Sequence, residues 1–224
     1  MGGALSIAPR AAGTAAGDIA ALREELVAVS HWAFARGLVA GVSGNNSVRL
    51  PGADAMLIKV TGVCQGDMTA DDTVEVGFDG TVAEPDRRPS KEWRWHAAIY
   101  RANPEVGGIV HVHPPYAVAW AVANRTPRLV HTAARGMLKE IGLIGLAPSG
   151  SEELAAMVAD AFADPALRVA LMREHGIVAV GADLREAFYR ADYVEDTAKV
   201  ALLAAEVQAL PPGGGVRLAE DEEA

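Results

Sequence analysis

The run Ile109-Val110-His111-Val112-His113-Pro114 constrains this chain more than any other. It follows a turn-forming stretch, Asn103-Pro104 to Gly107-Gly108, and alternates β-branched with imidazole side chains. Successive side chains of a strand point to opposite faces. His111 and His113 therefore share one face, while Val110 and Val112 point the other way, into a core. Two neutral imidazoles on one face suit a divalent metal. The same spacing also suits two packed histidines at a strand end.

The chain has 224 residues, enough for one α/β domain with a sizeable core. Half of the residues are hydrophobic, yet no run of eighteen apolar residues occurs, which argues against a membrane span. Residues 1–17 read as a flexible Ala/Gly-rich arm, 18–210 as the folded domain and 211–224 as a disordered acidic tail. The single cysteine, Cys64, excludes an internal disulfide and reads as a small packed residue in a reducing cytoplasm. A net charge of -9 makes nucleic acid a poor partner. Arg87-Arg88 and Lys91-Arg94 form a local basic cluster on this acidic chain, which suggests a small anionic substrate.

Helical periodicity over Asp18–Leu38 makes Asp18 a candidate N-cap, with His31 a packing or surface residue. Gly41-Val42-Ser43-Gly44-Asn45-Asn46-Ser47 reads as a tight loop, of a kind that can cradle phosphate or carboxylate and is more often only a turn. Strands are expected at Val48–Leu50, Met56–Val60 and Thr73–Phe78, with Thr61-Gly62 closing the second and Asp79-Gly80 a hairpin turn. A helix should open at Pro89-Ser90 with Ser90 as its cap, Glu92 in its first turn and His96 on the same face as Glu92. After the histidine strand come a short helix, Pro114–Val122, and an approach to another strand over Asn124–His131. Ala133–Pro148 carries no readable period. Ser151 should cap a helix to Phe162, Ile177–Val180 reads as a strand, and Asp183–Leu210 as a long helix ended by Pro211-Pro212.

Three signals converge: a glutamate after Pro-Ser, a strand His-x-His-Pro, and a later His-Gly before a strand. With the runs "GVSGNNSVRL", "TG", "RPSKEWRWHAAIYRANPEVGGIVHVHP" and "EHGIVAVG", in order from Val27 to Glu206, the chain resembles the class II aldolase/adducin family. The resemblance implies a three-layer α/β/α fold around a mainly antiparallel sheet, and a homotetramer with sites between subunits. It implies a divalent metal, usually zinc, held by His111, His113 and His175. Manganese, iron or cobalt would suit the same imidazoles. It assigns Glu92 as catalytic acid/base, and gives Gly44, Asn45, Thr61, Gly62 and Ser90 to the substrate's anionic end.

Two departures shape the expected reaction. Lys91 stands where sugar-phosphate aldolases of the family carry a second serine. Their tyrosine proton donor falls near Thr132, after His131, and the last tyrosine here is Tyr193, within the long helix. Decarboxylation uses the same metal-stabilised enolate without needing that tyrosine. The expectation is therefore a carbon–carbon lyase leaning to decarboxylation of a hydroxy- or oxo-carboxylate or a dihydroxylated aromatic acid. Lys91 and Arg94 would orient the carboxylate, and His131 is either a proton donor or a packed residue. Trp93 and Trp95 would wall an aromatic ring or lie in the core. An aldolase acting on a ketose phosphate is the alternative, and a non-catalytic scaffold fits less well. Glu92 in place of aspartate argues against an epimerase.

Overall fold

Short β-branched runs punctuated by glycine turns build a sheet, and the longer Ala/Leu-rich segments between them build its covering helices. The computed structural model describes residues 16–208. In chain order its elements are α1 (Ala16–Ala35), β1 (Asn45–Arg49), β2 (Ala55–Lys59), a 3-10 turn (Ala70–Asp72), β3 (Thr73–Gly77), α2 (Trp93–Ala102) and β4 (Gly108–Val112). There follow α3 (Pro115–Val122), α4 (Thr132–Leu138), β5 (Gly142–Ile144), α5 (Glu152–Phe162), β6 (Val169–Met172), β7 (Gly176–Gly181) and α6 (Leu184–Gln208).

The seven strands form one sheet in the order β3-β2-β1-β4-β7-β6-β5. Every neighbouring pair is antiparallel except β5–β6. Helices cover both faces, the α/β/α arrangement expected from the sequence. Val110 and Val112 face the core that also holds Leu26, Leu184 and Val194 of α1 and α6. Ile109 faces the opposite core, with Trp95 and Ile99 of α2 and Val158 of α5. The alternation along β4 is thus the one read from the sequence, with His111 on the α2 side.

Several local expectations change. Asp18 lies in the first turn of α1 rather than at its cap. Ser90 does not cap α2. Its N–H donates to the Lys59 carbonyl at 3.0 Å, and Thr61 N–H donates to the Arg88 carbonyl at 2.9 Å. Residues 88–90 are therefore held extended beside the end of β2, and the helix starts only at Trp93, with Glu92 in the cap position. No strand forms over Asn124–His131. Instead His131 caps α4, its Nδ1 accepting from Ala134 N–H at 3.3 Å. Ser151 does cap α5, accepting from Leu154 N–H at 3.0 Å. Residues 1–15 and 209–224, with the expected arm and acidic tail, lie outside the described residues. No helix among the described residues is long and apolar enough to cross a membrane.

One long-range contact fixes the segment after β4. Glu195 of α6 accepts from Tyr116 N–H at 3.1 Å and from Ala117 N–H at 2.9 Å, satisfying donors that the start of α3 leaves open. Helix α6 also packs on β4 and β7.

Candidate metal and substrate site

β4 and β7 are neighbours, and this pairing brings residues 66 positions apart into contact. His111 sits opposite Val178, fully buried, and its Nδ1 donates to the Ile177 carbonyl at 2.9 Å. His113 is the first residue past β4, tied by its N–H to the Leu38 carbonyl at 2.9 Å. His175 lies in the three-residue turn joining β6 to β7, where Glu174 takes φ +53. The ligand nitrogens of the three rings all lie within 4.8 Å of one another. Among the described residues this is the single cluster of three such side chains placed to share an ion.

The donor set fits a cation. A carbonyl only accepts, so His111 Nδ1 carries a proton, and Nε2 is the nitrogen turned to the cluster. That Nε2 lies 3.0 Å from His113 Nε2 and 3.1 Å from Glu92 Oε2. No single proton satisfies both contacts, whereas a cation accepting the lone pairs does. Nitrogens around a tetrahedral zinc stand roughly 3.3 Å apart, near the 3.0 Å between the His111 and His113 Nε2 atoms. Burial, followed by the neighbouring rings, lowers the His113 pKa to about 3 and the His175 pKa to about 4. Both are therefore neutral and ready to ligate at neutral pH.

Glu92 closes the cluster. It is 4 % exposed, and its Oε1 is 3.3 Å from His175 Nε2. Asn45 Nδ2 donates to Oε2 at 2.9 Å and Ser149 Oγ donates to Oε1 at 2.7 Å. Burial pushes the Glu92 pKa up, but His111, His175 and the Asn45 hydrogen bond outweigh it. The carboxyl is held well below the usual carboxylate range.

His113, His175 and Glu92 form one end of a cavity of about 480 Å³. Gly44, Thr61, Gly62, Ser90 and Lys91 line the rest, joined by Ser149 and by a residue not singled out from the sequence, Lys59. Lys59 is 2 % exposed, and among the described residues its Nζ hydrogen-bonds only the carbonyls of Val42 and Val60, at 3.4 and 3.3 Å. Burial lowers its pKa first, and Cys64 and Asp72 oppose the shift. A desolvated cation without a carboxylate against it is poised for an anionic ligand. Gly44 lies at the back of this wall at φ +69, where an added Cβ would come within 2.7 Å of the His111 carbonyl oxygen.

Not every residue drawn from the sequence reaches the cavity. Asn45 is buried behind it, bonded to Glu92 rather than lining it. Arg94 turns away, with its guanidinium 4.9 Å from the Trp93 ring centre in a separate surface groove. Trp95 is fully buried and stacks on His96 at 3.9 Å, so neither tryptophan walls the cavity. His131 caps α4 and places Nε2 3.0 Å from Asp196 Oδ2, outside the cavity of its own chain.

Comparison with known proteins gives a consistent result. The family described as Class II Aldolase and Adducin N-terminal domain matches residues 24–202. Methylthioribulose-1-phosphate dehydratase of Acidiphilium cryptum is 36% identical over 197 residues, 83% of this chain and 92% of that protein. The 3-oxo-tetronate 4-phosphate decarboxylase of Escherichia coli is 30% identical over 184 residues, 80% of this chain and 85% of that one. The crystal structure of L-fuculose-1-phosphate aldolase from Thermus thermophilus superposes with a TM-score of 0.75 at 30% identity, covering 88% of this chain and 98% of that one.

Proposed function

Since this chain belongs to the family of the class II aldolase and adducin N-terminal domain, we propose that it is a divalent-metal-dependent carbon–carbon lyase that decarboxylates a small phosphorylated oxo or hydroxy acid. The observation that carries this reading is Glu92 meeting His111 and His175, at 3.1 and 3.3 Å, at one end of a cavity also lined by two lysines. When bound by His111, His113 and His175, the metal, zinc in this reading, supplies positive charge for an enolate oxygen.

The chain's own residues do the rest. Lys59 and Lys91, with Thr61 and Ser90, hold the phosphate, and the Gly44 and Gly62 backbone lets it approach. The substrate's carboxylate then lies toward the imidazole end. Its bond to the neighbouring carbon breaks, the electron pair moves onto the adjacent carbonyl as an enolate, and carbon dioxide leaves. One proton taken up from solvent and relayed through Glu92 then reaches the carbon that lost the carboxylate, so each turnover consumes one proton. Asn45 and Ser149 keep both carboxylate oxygens oriented meanwhile. With both tryptophans outside the cavity, a dihydroxylated aromatic acid loses its support, and the oxo-acid phosphate is the better fit.

Aldol cleavage of a ketose phosphate is the second reading, favoured by the Glu92 carboxylate standing beside the imidazoles, where a hydroxyl proton would be acidified by a bound cation. Zinc-loaded protein offered a 3-oxo-acid phosphate should release carbon dioxide. Release of dihydroxyacetone phosphate from a ketose phosphate, with no carbon dioxide from the acid, selects the second reading. Neither product, with no stoichiometric metal, leaves a scaffold. A homotetramer fits the exposed Leu143, Leu146, Leu202 and Leu203, and light scattering on the purified protein tests it.

A further inference from the structure

The Glu92 carboxylate is the near end of a longer buried array. Beyond Asn45, the Asn45 Oδ1 lies 2.6 Å from His96 Nε2. His96 Nδ1 is 2.7 Å from Ser47 Oγ, and Ser47 Oγ is 2.9 Å from the Tyr100 hydroxyl. Asn45, Ser47, His96 and Tyr100 are all at most 5 % exposed. They come from one strand and one helix. Asn45 and Ser47 share a face of β1, and His96 and Tyr100 share a face of α2.

One fixed point assigns every proton. Asn45 turns its Nδ2 to Glu92 Oε2 at 2.9 Å and its Oδ1 to His96 Nε2 at 2.6 Å, and a carbonyl only accepts. His96 Nε2 therefore carries a hydrogen. Burial, with His111 adding, lowers the His96 pKa well below the ordinary value, so the ring is neutral and Nδ1 is bare. Ser47 spends its only proton on Nδ1, and Tyr100 donates to Ser47. All donors run one way, from Tyr100 through Ser47, His96 and Asn45 to Glu92.

We propose that this array is a polarity lock in which Ser47 and His96 are positioning residues that keep the Asn45 amide the right way round for Glu92. Reversing that amide would set a carbonyl oxygen against a carboxylate oxygen, and the carboxylate would swing from its place beside the imidazoles. A polar cluster that merely filled space would have no such dependence at a distance. The role of Glu92 rests on the lyase reading above, but the direction of the array does not.

The test uses metal-free protein first. Nitrogen-15 NMR of the His96 ring should show the proton on Nε2. In Ser47→Ala the Asn45 side-chain amide signals should move, although Asn45 itself is untouched, and Ser47→Thr should restore them. Unmoved Asn45 signals in Ser47→Ala, or a His96 proton on Nδ1, overturn the proposal. The zinc-loaded forms are then given dihydroxyacetone phosphate in heavy water. Exchange of the hydroxymethyl proton should slow about tenfold in Ser47→Ala and return with Ser47→Thr, with KM and zinc content unchanged. Equal rates in Ser47→Ala and wild type also overturn it. If the wild type exchanges no proton, the lyase reading fails separately, and the amide signals alone decide the lock.

Discussion

Gly176 leaves room for His113: a β-carbon there would overlap Cδ2 of that imidazole and lie 2.6 Å from the Val112 carbonyl oxygen. The first residue of β7 is thus pressed against the ring that follows β4. Gly176→Ala should cost about 1–3 kcal/mol of stability through overpacking. Because the displaced ring is one of the three proposed to hold the metal, zinc affinity should fall about 10–100-fold as well. Thermal unfolding and zinc titration by calorimetry check the two separately, and unchanged affinity would show that the ring has another place to go.

His113→Ala should remove stoichiometric metal and abolish turnover, because two imidazoles seldom hold zinc tightly. The fold should persist, since Val110 and Val112, not His113, fill the core. Metal analysis beside circular dichroism provides the check. Full metal content in the variant would remove His113 from the ligand set.

Acid should destabilise the metal-free protein before it titrates the carboxylates. His113 and His175 have folded pKa values lowered to about 3 and about 4, against 6.5 unfolded. Between those values the unfolded chain binds more protons, so stability falls as pH falls from about 6.5 toward 4. The loss should be on the order of 2 kcal/mol or more by pH 4.5, read from urea unfolding at each pH. Zinc-loaded protein should fall more steeply, because protons compete with the ion for the same nitrogens.

Lys59 sets function against stability. Lys59→Met keeps the stem and removes a buried charge with no carboxylate against it. The free protein should melt higher by a few degrees, a gain of about 1 kcal/mol. KM for a phosphorylated substrate should rise about tenfold or more while kcat changes little. A lower melting temperature with unchanged KM would make Lys59 structural.

How far these features were legible follows from the range of the interactions behind them. The shared face of His111 and His113 is a two-residue periodicity, and Ser151 as a cap is a four-residue signal. Both survive in the fold. Lys59 reads in the sequence as one polar residue in an apolar strand. Its burial comes from residues 41–44 and 88–90 folding over it, which no local pattern announces. Lys91 and Arg94, three residues apart, read in the sequence as one basic cluster. The pairing of residues 88–90 with the end of β2 delays the helix to Trp93 and swings Arg94 to another side. Ser149 lies in the irregular loop between β5 and α5, which leaves no period, so its hydrogen bond to Glu92 had no signal to find.

The strand order has a consequence for how the site comes into being. Four strands encoded before residue 113 lie on one side of the β4–β7 seam, and three encoded after residue 141 lie on the other. The imidazoles straddle that seam. A nascent chain emerging from the ribosome owns two of its three ligands long before the last hairpin appears. On the proposed ligand set, stable ion capture comes late in synthesis, and its arrival is a certificate that both halves of the sheet have met.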